Sequence, residues 1–141
     1  MKSISGICAL VVGSFLLSVP GPVLAASSDD AVGTWRTKTG RHVQLYKCGA
    51  SLCGKITKAE AGAKDTKNPN PKLRSRSIKG VRILSGAKKS GSDSWKGTLY
   101  NTRNGKLYSG VIKVKSKQVV KLSGCVFGGL ICQGEDWSRI R

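Results

Sequence analysis

Past its first 33 residues the chain breaks into short alternating runs, each closed by glycine, asparagine or a comparable turn former. Val43 and Leu45 alternate with His42, Gln44 and Tyr46, the period-two pattern of a strand with one buried face. Runs of the same kind fall at residues 34–37, 52–57, 81–85, 94–100, 106–115, 118–123 and 135–140. Asn104-Gly105, inside the loop that follows Asn101, is a strong hairpin signal because both residues tolerate positive φ. Beyond residue 25, no stretch sustains apolar residues at helical spacing. About eight short strands with turns at near-regular spacing predict an all-β chain, a small antiparallel barrel or sandwich.

Residues 1–25 form the expected exception. Lys2 begins them, a short apolar stretch runs to Val19, and Val23-Leu24-Ala25 offers small residues at −3 and −1 of a cleavage site. The stretch is too short to cross a bilayer and ends at Pro20-Gly21-Pro22, so a cleaved signal peptide is expected rather than a membrane span. The expected location is the periplasm or the exterior, with residues 26–141 as a single domain. Without Lys2, those 116 residues carry 24 basic and 7 acidic side chains, a net charge of +17. Of five cysteines, Cys8 leaves with the leader, and Cys48, Cys53, Cys125 and Cys132 remain. An even number in an exported domain of this size implies disulfides. Three pairings are open. The local one, Cys48–Cys53 and Cys125–Cys132, is preferred because each pair brackets a glycine-containing turn. A four-cysteine zinc site fits poorly, since six residues separate the second pair. No metal and no cofactor are expected.

One segment has no strand pattern. Residues 58–80 hold Asn68-Pro69-Asn70-Pro71 and the charged run Lys72-Leu73-Arg74-Ser75-Arg76. A loop this long in a small domain is either functional or an exposed crossover. Leu73 and Ile78 are the residues that would pin it to the body.

Several stretches together resemble the DUF2147 family of bacterial secreted proteins of unassigned function. They are Gly33-Thr34-Trp35-Arg36, Tyr46-Lys47-Cys48-Gly49, Leu52-Cys53-Gly54, the segment from Asn68 to Arg76, and Trp95-Lys96-Gly97 with Tyr100-Asn101. Gly105-Lys106-Leu107-Tyr108, Leu122-Ser123-Gly124-Cys125 and Trp137-Ser138-Arg139 complete the set. Asn70 stands where the family pattern has an acidic residue, and Ser77 where it has proline. The resemblance implies a lipocalin-like (calycin-type) barrel with one long loop, not a known reaction. In such barrels a tryptophan of the first strand plugs one end, and a basic side chain of the last strand covers its face. Gly33, Trp35 and Arg139 are the matching residues here.

Catalysis finds little support in the composition. His42 is the lone histidine, which leaves one candidate base and no free thiol. Asp29 and Asp30 lie in the N-terminal stretch. Glu135 and Asp136 are adjacent on a strand and so face opposite ways. Glu60, Asp65 and Asp93 are scattered in loops, with no pair placed for acid–base work. The expectation is a binding protein, not an enzyme, holding a small ligand in the open end of the barrel. Trp95, Tyr100 and Tyr108 are the expected wall residues. Asn68, Arg74 and Arg76 are expected at the mouth, where arginine suits a carboxylate or phosphate head group. The alternative is a basic surface, Lys113, Lys115, Lys117 and Lys121 among it, docking to an anionic component of the cell envelope or to a partner protein. Nucleic acid is not an expected partner, because the bases are not interleaved with exposed aromatics.

Overall fold

The computed structural model describes residues 17–22 and 24–141. Most of the expected leader, Cys8 included, lies outside the described residues. Eight strands form one closed antiparallel barrel in sequence order. They are β1 Gly33–Arg36, β2 His42–Cys48, β3 Ser51–Lys58, β4 Arg82–Lys89, β5 Ser94–Asn101, β6 Lys106–Ser116, β7 Val119–Val126 and β8 Ile131–Arg139. Trp35 opposite Arg139 and Arg36 opposite Ser138 join the first strand to the last. Three strands clearly exceed expectation. β4 runs on to Lys89, β7 runs on to Val126, and β8 begins at Ile131 rather than at residue 135. Gly129 and Gly134 hide the alternation there, yet the ladder continues through Cys125 opposite Cys132 to Val126 opposite Ile131.

The meander gives the barrel two unlike ends. One carries the β2–β3, β4–β5 and β6–β7 turns together with the N-terminal approach. The other carries the β1–β2, β5–β6 and β7–β8 turns and the long β3–β4 loop. The first end is closed. A 3-10 turn, Ser28–Ala31, lies across it, started by a capping box between Ser27 and Asp30. Trp35 and Trp95 are fully buried beneath this turn. The Trp35 indole N–H donates to the Ala31 carbonyl at 2.9 Å, and that of Trp95 to the Ser28 carbonyl at 2.7 Å. The turn therefore finds partners for two of its carbonyls in the core, and the indole N–H groups of Trp35 and Trp95 find theirs in the turn.

Arg139 seals the seam. Its guanidinium carbon lies 4.2 Å from the Trp35 ring centroid. Its nitrogens donate to the carbonyls of Asp30, Val32 and Lys117. Gly33 has φ +150°, and a Cβ there would collide with the Arg139 guanidinium. Lys47 and Lys89 lie 4.4 and 5.5 Å from the Trp95 ring centroid. Both also pair with Asp29, at 3.5 and 3.1 Å. Leu45, Leu52, Leu84, Ile112, Val114 and Val120 fill this half of the interior. Glycine lets them close up: a Cβ at Gly110 would sit 2.8 Å from that of Leu99, and one at Gly54 would sit 2.9 Å from a Leu45 methyl.

Disulfides join Cys48 to Cys53 at the closed end and Cys125 to Cys132 near the open end. Their loops are short, with sequence separations of 5 and 7, so each stabilises by about 2 kcal/mol through the unfolded chain. Reduction is expected to lower the denaturant midpoint by the equivalent of about 4 kcal/mol in total. A midpoint unmoved by reductant would show that the two bridges do not support the fold.

Candidate functional site

Toward the other end the core stops short of the rim. It leaves an open cavity of about 550 Å³, within the range of small-molecule sites. Val43, Ile56, Ile83, Leu99 and Leu122 give it an apolar body, and Tyr108 stands in its wall. Tyr108 belongs to the lumenal phase of β6, with Gly110 and Ile112 below it. Its hydroxyl is bonded to the Asn104 amide at 2.7 Å. Gly124, opposite, keeps the lumen wide, since a Cβ there would lie 3.2 Å from a Leu99 methyl and 3.6 Å from Tyr108 Cβ. The rim is polar: Asn101, Arg103, Asn104, Gln133 and Arg41.

Two cavity residues that sequence alone did not single out set its electrostatics. Glu135, in the same phase of β8 as buried Trp137, faces the lumen at mid-depth and accepts the Trp137 indole N–H at 2.7 Å. Asp136 points outward to Lys115 at 2.8 Å. The alternation of the strand separates the two acids as expected. At the mouth, Arg41 is tied to Glu60, whose carboxyl is lowered to about 2 by the Arg41 hydrogen bonds. Arg103 has no side-chain hydrogen bond or ion pair among the described residues, and its guanidinium is the cation at the rim with capacity to spare.

The expected site residues are divided by the structure. Tyr100 and Tyr108 line the cavity. Trp95 does not, because the barrel is sealed where it sits. Asn68, Arg74 and Arg76 do not reach the lining either. They are bound inside the long loop around Asp65, which is completely buried. One oxygen of Asp65 accepts from the Asn68 amide at 2.8 Å and from two Arg76 nitrogens at 3.1 and 2.8 Å. The other accepts from the Tyr100 hydroxyl at 2.6 Å. Arg74 donates to the Asn68 carbonyl at 2.8 Å. Burial pushes the Asp65 carboxyl up, but the hydrogen bonds from Tyr100, Asn68 and Arg76 outweigh it and hold the group below its ordinary range. The Tyr100 phenol is pushed up to about 12 by burial and by the adjacent Asp65 carboxylate.

The loop between β3 and β4 is thus a folded strap. Ile78 is buried beneath it, Lys64 bridges to Ser77, and a 3-10 turn spans Pro71–Leu73. Asn70 caps that turn by accepting from the Lys72 N–H, so its departure from the acidic residue of the family pattern preserves the cap. Gly105, at φ +72°, lets the β5–β6 turn pass directly against the Lys67 carbonyl, where a Cβ would collide. The one hint of Asp65 in the sequence is scarcity. A carboxylate within a stretch so rich in lysine and arginine is surrounded by candidate partners.

A closed up-and-down barrel, sealed by tryptophans at one end and hollow at the other, is a lipocalin-like barrel. Residues 33–139 match the family model described as an uncharacterized protein conserved in bacteria, DUF2147. The chain belongs to that family. Its fold is similar to the solved structure titled "Protein HP1028 from the human pathogen Helicobacter pylori belongs to the lipocalin family". The two share 28% identity at a TM-score of 0.70, over 79% of this chain and 83% of that one. No curated protein matches the chain.

Proposed function

We propose that this chain is an exported binding protein, without catalytic activity, that holds a small amphiphilic molecule in the open end of its barrel. The cavity carries this reading. A packed barrel of this size would fill its lumen with its own side chains, whereas here about 550 Å³ is left, apolar inside and polar at the rim. The charges give the ligand a direction. Glu135 disfavours an anionic group at mid-depth, and Arg103 favours one at the mouth, so the acyl or aromatic body enters first and the anionic head stays at the rim. His42 lies outside the cavity lining, which leaves the site without an imidazole base. Two disulfides and a family found in bacteria support export to an oxidising compartment. The alternative of docking through outer-wall lysines is weaker, because Lys113 and Lys115 are each drawn to an acid, Asp93 and Asp136.

Native mass spectrometry of protein purified from its own host tests the reading, with anilinonaphthalene sulfonate as a solution probe. The native chain is expected to carry a small co-purifying molecule and to bind the probe. Gln133→Trp, which fills the mouth from β8, is expected to lose both while melting at the same temperature. Arg103→Ala is expected to weaken probe binding by roughly 3–10-fold. Probe binding unaffected by Gln133→Trp would place it outside the lumen and overturn the assignment.

A further inference from the structure

The tip of the β7–β8 hairpin breaks the rule that this small chain keeps its large apolar side chains inside. Phe127 is 75% exposed and Leu130 86% exposed, and Ile131 and Val126 beside them are open to solvent. Leu107 is also exposed, on β6 two residues from the Ser109–Cys125 pair and toward the same end. Backbone strain singles out the same spot. Phe127, at φ +53°, is the one non-glycine residue in the left-handed region among the described residues. Among the described residues nothing repays holding a phenylalanine there, since its ring stays exposed and outside the core cluster. The Cys125–Cys132 bridge closes the hairpin directly behind the tip and holds it erect. Strain, exposure and bracing at one point mark a contact made with something outside the chain.

Charge says what that contact is. Asp29, Asp30 and Asp93 belong to the closed end, and Asp136 is on the outer wall with Lys115. At the open end Glu60 and Asp65 are each bonded to an arginine, and Glu135 faces the lumen. That end therefore presents Lys64, Lys67, Lys72, Arg103 and Lys106 with no unpaired carboxylate among them in the described residues. A cationic rim around a projecting apolar tip fits a surface that is anionic outside and hydrocarbon within. We propose that the open end docks on anionic lipid membranes, with Phe127 and Leu130 entering the headgroup–acyl boundary and the surrounding lysines meeting lipid phosphates. The tip stands on the cavity rim, where Val126 and Ile131 also line the mouth, so docking would turn the mouth to the bilayer. The proposal does not depend on the cavity being occupied.

Vesicle flotation tests it on the ligand-free protein, with phosphatidylcholine alone and with phosphatidylcholine containing phosphatidylglycerol. Binding is expected only to the anionic vesicles and is expected to weaken as salt rises. The double variant Phe127→Asn with Leu130→Ser, asparagine being tolerant of the left-handed region, is expected to lower binding at least about tenfold with the melting temperature unchanged. Lys67→Glu with Lys106→Glu is expected to lower it as well. Absence of binding by the native chain overturns the proposal, as does equal binding by the apolar double variant. A native dimer that the same variant converts to a monomer also overturns it, because the tip would then join two copies of this chain.

Discussion

Asp65→Asn is expected to lower the melting temperature by about 10 °C, equivalent to roughly 2–4 kcal/mol in a domain of this size. The carboxylate is fully buried and accepts four hydrogen bonds, from Asn68, Arg76 and Tyr100. An asparagine offers one acceptor oxygen and turns an N–H toward donors. Arg76 reaches solvent and recovers part of its loss, but the buried Asn68 amide does not, and the half-buried Tyr100 hydroxyl loses its charged acceptor. The strap then loses its hold on β5 and frays at the cavity wall.

The pH dependence gives this prediction a second arm. The folded Asp65 carboxyl titrates below its ordinary 3.8, so its contribution is complete above that value and disappears as pH falls through the lower folded one. The gap between native and Asp65→Asn melting temperatures should therefore close in acid. Tyr100 has the opposite sign. Raised from 10.0 to about 12, it favours the fold below pH 10.0, and that contribution is lost between there and about pH 12. Tyr100→Phe should remove this alkaline loss. Melting curves by circular dichroism across the pH range measure both effects. A native-to-variant gap that does not change with pH would show that Asp65 is not ionised in the folded chain.

Trp35→Ala is expected to cost about 3–5 kcal/mol, close to the whole stability of many small domains. The indole is completely buried, its N–H holds the Ala31 carbonyl, and its face carries the Arg139 guanidinium. Removing it leaves a cavity beneath the Ser28–Ala31 turn and an arginine with no ring to cover. Trp35→Phe keeps a ring but not the hydrogen bond and is expected to cost about 1–2 kcal/mol. Denaturant midpoints at constant slope give both values. A loss below about 1 kcal/mol for Trp35→Ala would mean that the turn, not the indole, closes this end.

The strands were readable because their signals are local. Alternation around Val43 and Leu45 and the turn at Asn104-Gly105 each involve residues a few positions apart. Trp95 shows where that reading fails. Its place in a strand and its lumenal phase follow from the sequence, but its burial under the closing turn is completed by a hydrogen bond to the Ser28 carbonyl, 67 residues away, which no local pattern shows. Asn68, Arg74 and Arg76 show the same failure for charge. Their residue types suit a ligand, yet the buried Asp65 holds Asn68 and Arg76, and the Asn68 carbonyl holds Arg74. Glu135 has no second carboxylate beside it for acid–base work, yet its alternation with Asp136 and its phase shared with Trp137 point it at the lumen.

By itself, then, the chain's order of residues determined an all-β chain of about eight short strands, barrel or sandwich, with turns at defined places and two local cysteine pairings to prefer. These depend on the side-chain period of a strand and on turn geometry, which act over a few residues. Only the tertiary structure decided that barrel closure joins β1 to β8, that the Ser28–Ala31 turn covers Trp35 and Trp95, that Asp65 draws Asn68, Arg76 and Tyr100 into a buried network, and that Glu135 and Arg103 border the cavity without a charged partner among the described residues. Those outcomes come from contacts between distant segments. There, burial makes a hydrogen bond worth forming and an unpaired charge too costly to keep, and the barrel must close before any of them exists.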